Sequence, residues 1–170
     1  IPIGSTCFIR WTDFNGTGAD DGLGIDDFSL SAGFAAESSD YFRSITSGDW
    51  GSLSTWESST DNTIWVAATA IPTFAANTIT IRNSHTVIFN SFLTIDQVII
   101  ESGGTLNFNN GTLTVNDGTG NDIDIQSNGA FVLSSANNSP TFIGGNPTIN
   151  IQGSGILRVS AAGLTTTVGG

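Results

Sequence analysis

The sequence predicts an all-β chain whose larger part is a right-handed parallel β-helix, and three observations predict it. Apolar i, i+2 pairs recur at a nearly constant spacing, Gly and Asn punctuate the stretches between them, and no segment holds a helical period long enough for a helix. The first series of pairs is Val98-Ile100, Ile123-Ile125 and Ile149-Ile151, stepping by 25 residues and then by 26. The second, Leu106-Phe108, Phe131-Leu133 and Leu157-Val159, takes the same steps, and the third runs Leu113-Val115, Phe142 and Leu164.

A period of this size holding three strand-sized segments describes a coil that stacks on its neighbour. A shorter first coil fits Ile79-Ile81, Val87-Phe89 and Leu93-Ile95, so three to four coils are expected between about residue 70 and residue 170. Period-two alternation turns the apolar pair of each segment inward and the Thr, Asn and Asp between them outward. Gly103-Gly104, Asn109-Asn110-Gly111, Asn128-Gly129 and Gly144-Gly145-Asn146 fall between the pairs as corners should, because a sharp turn calls for positive φ, which Gly adopts freely and Asn tolerates.

Upstream of the coils the chain divides further. Residues 1–33 hold two strand candidates, Cys7-Phe8-Ile9-Arg10-Trp11 and Gly24-Ile25-Asp26-Asp27-Phe28-Ser29-Leu30, separated by a polar loop over 15–22. Two strands alone bury no core. Residues 34–41 are small and polar and read as a linker. Residues 42–69 concentrate Trp50, Trp56 and Trp65, and aromatics so dense are expected to plug the end of the coil stack, where strand edges must be covered.

Composition narrows the function classes. The 170 residues carry fifteen acids against four Arg and no Lys, a formal charge of -11. A surface so short of cations cannot neutralise phosphates, so nucleic acid and anionic membrane are excluded as expected partners, and divalent cations take their place. Cys7 stands alone, which rules out an internal disulfide and a multi-Cys metal site. No apolar run is long enough to span a bilayer, and Ile1-Pro2-Ile3-Gly4 lacks the pattern of a signal peptide. The abrupt strand-like opening gives the expectation of a piece of a longer protein, whose partners are other domains of the same polypeptide.

Two resemblances add to this reading. The strand Ile25-Asp26-Asp27-Phe28-Ser29-Leu30 resembles the closing strand of jelly-roll sandwiches of the MAM-like and carbohydrate-binding type, which implies that residues 1–33 are a C-terminal remnant of such a domain. Ser47-Gly48-Asp49-Trp50, Thr55-Trp56-Glu57, the run from Thr78 to Val87 and the run from Val98 to Leu106 together resemble a β-helix module of large surface and secreted Bacteroidetes proteins, many of them exported by the type IX system. That resemblance implies a repeat architecture and a cell-surface or secreted location, and not one particular activity.

Candidate chemistry is sparse. Asp117-Gly118-Thr119-Gly120-Asn121-Asp122-Ile123-Asp124 looks like one repeat of the calcium-binding β-roll, which makes Asp117, Asp122 and Asp124 candidate calcium ligands. No second acidic copy lies one coil away, and a solvated corner explains the same residues. Asp20, Asp21 and Asp27 form a second candidate calcium site, with surface charge as its alternative. Trp50, Trp56 and Trp65 are candidate sugar-stacking groups if they are not the plug. His85 is the only histidine, so a catalytic triad would have to be built on a residue that sits at a corner, and it reads as structural. Thr78-x-Thr80 and Thr112-x-Thr114 do not recur in register, against an ice-binding face. The expected function is a non-enzymatic stalk, spacer or adhesin. A carbohydrate-binding module is the alternative, and a fragment of a polysaccharide lyase or hydrolase follows it, since β-helices host such enzymes.

Overall fold

The computed structural model describes residues 8–10, 35–134, 141–143 and 146–159. The chain divides into two compact units, residues 1–33 and residues 34–170. Of the first, Phe8–Arg10 alone are described and belong to no strand. The jelly-roll reading, Cys7, and the candidate calcium ligands Asp20, Asp21 and Asp27 lie outside the described residues.

The second unit is all-β. Its strands are β1 (Tyr41–Ser44), β2 (Gly48–Asp49), β3 (Trp56–Ser59), β4 (Val66–Ala67), β5 (Thr78–Ile81), β6 (Thr86–Phe89), β7 (Phe92–Ile95), β8 (Val98–Ile100), β9 (Thr105–Phe108), β10 (Thr112–Asn116), β11 (Ile123–Ile125), β12 (Ala130–Leu133), β13 (Thr141–Ile143), β14 (Ile149–Ile151) and β15 (Ile156–Val159). Among the described residues the one helical turn is a 3-10 turn at Leu53–Thr55. None of the described helices is long and apolar enough to cross a membrane.

From β5 onward the chain visits three sheets in rotation. The first sheet has the order β14-β11-β8-β5-β1-β3-β4, the second β15-β12-β9-β6-β2, and the third β13-β10-β7. Every pairing between circuits is parallel, and antiparallel contacts are confined to β1-β3 and β3-β4. The apolar series read from spacing are register partners: Ile79 with Val98, Val98 with Ile123 and Ile123 with Ile149. In the second sheet Val87 faces Leu106, Leu106 faces Phe131 and Phe131 faces Leu157. In the third, Leu93 faces Leu113, and Val115 faces Phe142.

This register places like residues over like. Ile79, Ile81, Val98, Ile100, Leu106, Phe108, Leu113, Val115, Ile123 and Ile125 are fully buried, at 0% exposure. Each such side chain contributes about 1.5–3 kcal/mol of transfer free energy. The residues between them, such as Thr80, Ile99, Asn107, Thr114 and Asp124, are half-buried on the outer faces. Phe89 and Phe108, from successive circuits, stack with centroids 4.5 Å apart and planes 15° apart.

One corner recurs in every circuit. His85 N–H donates to Arg82 O, Gly104 to Glu101 O, Gly129 to Gln126 O and Gly155 to Gln152 O, at 2.8–3.1 Å. In the first three of these turns the third residue has positive φ: Ser84 at 64°, Gly103 at 79° and Asn128 at 66°. Between circuits, Glu101 N–H reaches Ile81 O, Gln126 N–H reaches Ile100 O and Gln152 N–H reaches Ile125 O, at 2.8–2.9 Å. These bonds carry the ladder around the bend, so the corner strengthens the stack instead of interrupting it.

The stack begins earlier than the apolar pattern indicates. β1 pairs in parallel with β5, and β2 with β6, so residues 41–49 supply strands to two of the sheets. Residues 50–77 then form an excursion that includes the hairpin β3-β4. The stretch expected as a linker, 34–41, ends inside β1, and it is tied down: Ala36 N–H donates to Thr69 Oγ1 and Asn77 N–H to Asp40 O.

Trp50 and Trp56 close this end of the interior. They are 2% and 0% exposed, meet edge-on at 4.9 Å, and Trp50 abuts Phe89 at 6.2 Å. Their indole N–H groups are satisfied by Pro72 O at 3.0 Å and Trp50 O at 2.8 Å, as burial of an indole requires.

Candidate functional site

Polar chemistry gathers on the outer side of the first sheet, at two places. The first lies over β1 and β3. Arg43 and Glu57 are register partners, and the Arg43 guanidinium is ion-paired with Glu57. The same group lies 4.0 Å from the centre of the Trp65 ring, and Arg82 approaches Glu57 at 3.7 Å. Trp65 is delivered by a turn built on Asp61, whose Oδ1 accepts the N–H groups of Thr63 and Ile64 at 2.8 and 2.9 Å. Those bonds, that of Ile64 first, hold the Asp61 carboxyl well below the usual carboxylate range. Of the three candidate sugar-stacking tryptophans, Trp50 and Trp56 have no open face, and Trp65, half-buried, has Arg43 against its ring.

The second place is the corner of residues 117–122 between β10 and β11. Asp122 is buried, and its Oδ1 accepts the Gly118 N–H at 2.8 Å while its Oδ2 accepts the Thr148 N–H and, at 3.3 Å, the Thr148 hydroxyl. Asp122 O accepts the Val98 N–H at 2.8 Å. One residue thus ties its own corner to the circuit on either side. Asp117 accepts the Asn146 N–H at 3.0 Å, and Asp124 accepts the side-chain amides of Asn150 and Gln152. The candidate calcium ligands Asp117, Asp122 and Asp124 are therefore each engaged by N–H donors of the following circuit. Among the described residues no group of three or more His, Cys, Asp or Glu side chains converges to hold a metal ion.

Asp96 went unnoticed in the sequence. It follows Ile95 at the two-residue corner between β7 and β8, and its carboxyl lies against Gly118: a Cβ there would stand 2.4 Å from Asp96 Oδ2. No N–H or O–H group of the described residues reaches Asp96 Oδ1, which is shut off from solvent. The neighbours that act on the carboxyl are Asp122, which raises it, and the Gln97 N–H, which bonds to it and lowers it. Two carboxylates can bond only when one carries a proton. Burial, then the bond to Asp122 and its charge, push Asp96 up to about 6. Burial would raise Asp122 too, but the N–H groups of Gly118 and Thr148 outweigh it and leave that carboxyl below its ordinary value.

Beside this corner a shallow cleft of about 200 Å³ opens on the outer face, lined by Thr78, Gln97, Ile99, Thr119, Asn121 and Asp124. Gln97 bridges its rim by donating to Thr119 O at 2.7 Å. His85, the other titratable group singled out by sequence, is bonded through Nδ1 to Ser44 Oγ at 2.8 Å, and that oxygen also accepts the Arg82 N–H. The imidazole serves the first corner. Compared with known protein families, with characterised proteins and with solved structures, the chain matches none of them.

Proposed function

We propose that the second unit is a right-handed parallel β-helix and that it serves as a non-catalytic stalk, spacer or adhesin surface within a larger secreted or cell-surface protein. The observation that carries this reading is the unbroken parallel register from β1 through β5, β8 and β11 to β14, with the apolar positions of each strand over those of the last. Such a ladder shares load among many backbone hydrogen bonds and leaves few exposed segments for a protease. A net charge of -11 without lysine suits a solvated surface that avoids nucleic acid and anionic lipid. An apolar interior closed by Trp50 and Trp56 leaves ligands only the outer faces. Calcium, if it binds, would compete with the amide donors that now occupy Asp117, Asp122 and Asp124.

A carbohydrate-binding role is the second reading, favoured by the cleft beside the 117–122 corner and by Trp65 at the surface. One experiment separates the two. The purified chain is melted in the presence of a panel of neutral and acidic polysaccharides, and each mixture is assayed for reducing ends. Unchanged melting with no turnover is the expected result. A raised melting temperature abolished by Trp65→Ala or Asn121→Ala would replace the stalk with a carbohydrate module, and released reducing ends would replace it with an enzyme.

A further inference from the structure

We propose that Asn110 is a site of spontaneous modification: the Gly111 nitrogen closes on the Asn110 side chain to form a cyclic imide, which water opens to aspartate or isoaspartate, while the stack holds the same dipeptide at Asn128-Gly129 inert.

Such a closure needs an asparagine or aspartate followed by a residue without a side chain, and a backbone nitrogen free to turn. Among the described residues three pairs meet the first condition: Asn110-Gly111, Asp117-Gly118 and Asn128-Gly129. In two of them the attacking nitrogen is already committed. Gly118 N–H donates to Asp122 Oδ1 at 2.8 Å, and Gly129 N–H donates to Gln126 O at 2.8 Å. Asn128 is held as well, since its carbonyl accepts the Gly103 N–H at 3.1 Å and its Oδ1 accepts the Ser154 hydroxyl at 2.7 Å. Gly129 is buried against Ile100 O and Glu101 O. It must leave that seat before its nitrogen can turn, so reaction there waits on local opening of the corner.

Asn110-Gly111 has none of these restraints. Asn110 is exposed, and no described residue bonds its side chain or accepts the Gly111 N–H. The glycine itself is imposed by the fold. Its φ is 109°, and a Cβ on it would collide with the Ser91 carbonyl of the preceding circuit, so no other residue fits. The corner thus requires the one residue type that leaves the preceding asparagine open to attack.

The step balances with water as its only co-reactant. The Gly111 nitrogen gives up its proton and bonds to Asn110 Cγ, and Nδ2 departs with a proton as ammonia. Water then breaks either the new Cγ–N bond, leaving aspartate, or the original peptide C–N bond, leaving isoaspartate, whose backbone runs through Cγ and is one atom longer. Either product adds a negative charge to a chain already at -11. The corner has room for the longer backbone, because it uses two residues, Asn90-Ser91, in one circuit and three, 109–111, in the next. The bond from Asn109 Nδ2 to Asn90 Oδ1 that joins those circuits does not involve the reacting atoms.

The test ages the full chain in mildly alkaline water enriched in heavy oxygen, then digests it and sequences the peptides by tandem mass spectrometry. Every residue that passes through the imide takes up the label. Asn110 should be labelled roughly tenfold faster than Asn128, the factor set by an opening that breaks one or two hydrogen bonds. In urea, where no fold distinguishes the two identical dipeptides, their rates should converge. Asn110 left unlabelled, Asn128 labelled as fast as Asn110 in the folded chain, or a difference that persists unchanged in urea overturns the assignment.

Discussion

Replacing Gly129 with alanine probes the stacking of circuits directly. A Cβ on Gly129 would stand 2.8 Å from Ile100 O and 2.9 Å from Glu101 O, both of them backbone atoms of the previous circuit, and 3.0 Å from Gln126 O in its own turn. No flexible side chain can yield. To restore ordinary contact the corner must retreat by roughly half an ångström. That retreat stretches the bonds from Gln126 N–H to Ile100 O and from Ala130 N–H to Gly104 O, both now 2.9 Å, beyond good hydrogen-bond length. Overpacking of this kind costs about 1–3 kcal/mol, and a weakened ladder bond adds about 1 kcal/mol. Gly120→Ala is the control: φ there is 95° and nothing lies within 4 Å of the added atom, so backbone strain of about 1–2 kcal/mol is its whole cost. Urea unfolding of the two variants beside the parent chain should place Gly129→Ala as the less stable. Equal stability of Gly129→Ala and the parent would refute the close approach of successive circuits, and with it the stack.

Two further outcomes follow from the same architecture. Trp56→Ala should lower stability by about 3–5 kcal/mol, because it opens a cavity under Trp50 and leaves Trp50 O without its donor, whereas Trp65→Ala should cost about 1 kcal/mol or less; calorimetry of both variants checks the contrast. Removing residues 104–128 takes out one 25-residue period and joins Gly103 to Gly129, residues that occupy matching turns. The shortened chain should keep its β circular dichroism and unfold cooperatively, while a deletion one residue longer turns the inward face of the next strand outward and should aggregate.

What the sequence made legible was whatever repeats. The steps from Val98 to Ile123 and from Leu106 to Phe131 are steps between register partners because each circuit must return to the same column, and a period-two strand allows no slippage. The corners were legible for the same reason, through Gly103-Gly104 and Asn128-Gly129. The start of the stack was not. In β1 the two inward positions are Phe42 and Ser44, and Ser44 is buried through its bonds to His85 and the Arg82 N–H, so the apolar pair that marks later strands is absent. The polar corner was hidden by unequal lengths. Between the third and first sheets the chain uses two residues, Asp96-Gln97, in one circuit and six, 117–122, in the next, and no fixed period aligns an aspartate in the one with an aspartate in the other.

That contrast explains where this chain can carry individuality. Inward positions accept Ile, Val, Leu or Phe almost interchangeably as long as column and volume are kept: Val98, Ile123 and Ile149 follow one another in a single column. They set stability but distinguish no circuit from the next. The corner between the third and first sheets has no such repeat, since its length changes and its side chains bond across circuits rather than within them. Asp96, Asp122 and Thr148 come from three successive circuits and meet there, beside a cleft of about 200 Å³. A repeating scaffold gains a distinct address only where the repeat is broken, and in this chain the break brings polar side chains of three circuits to one corner.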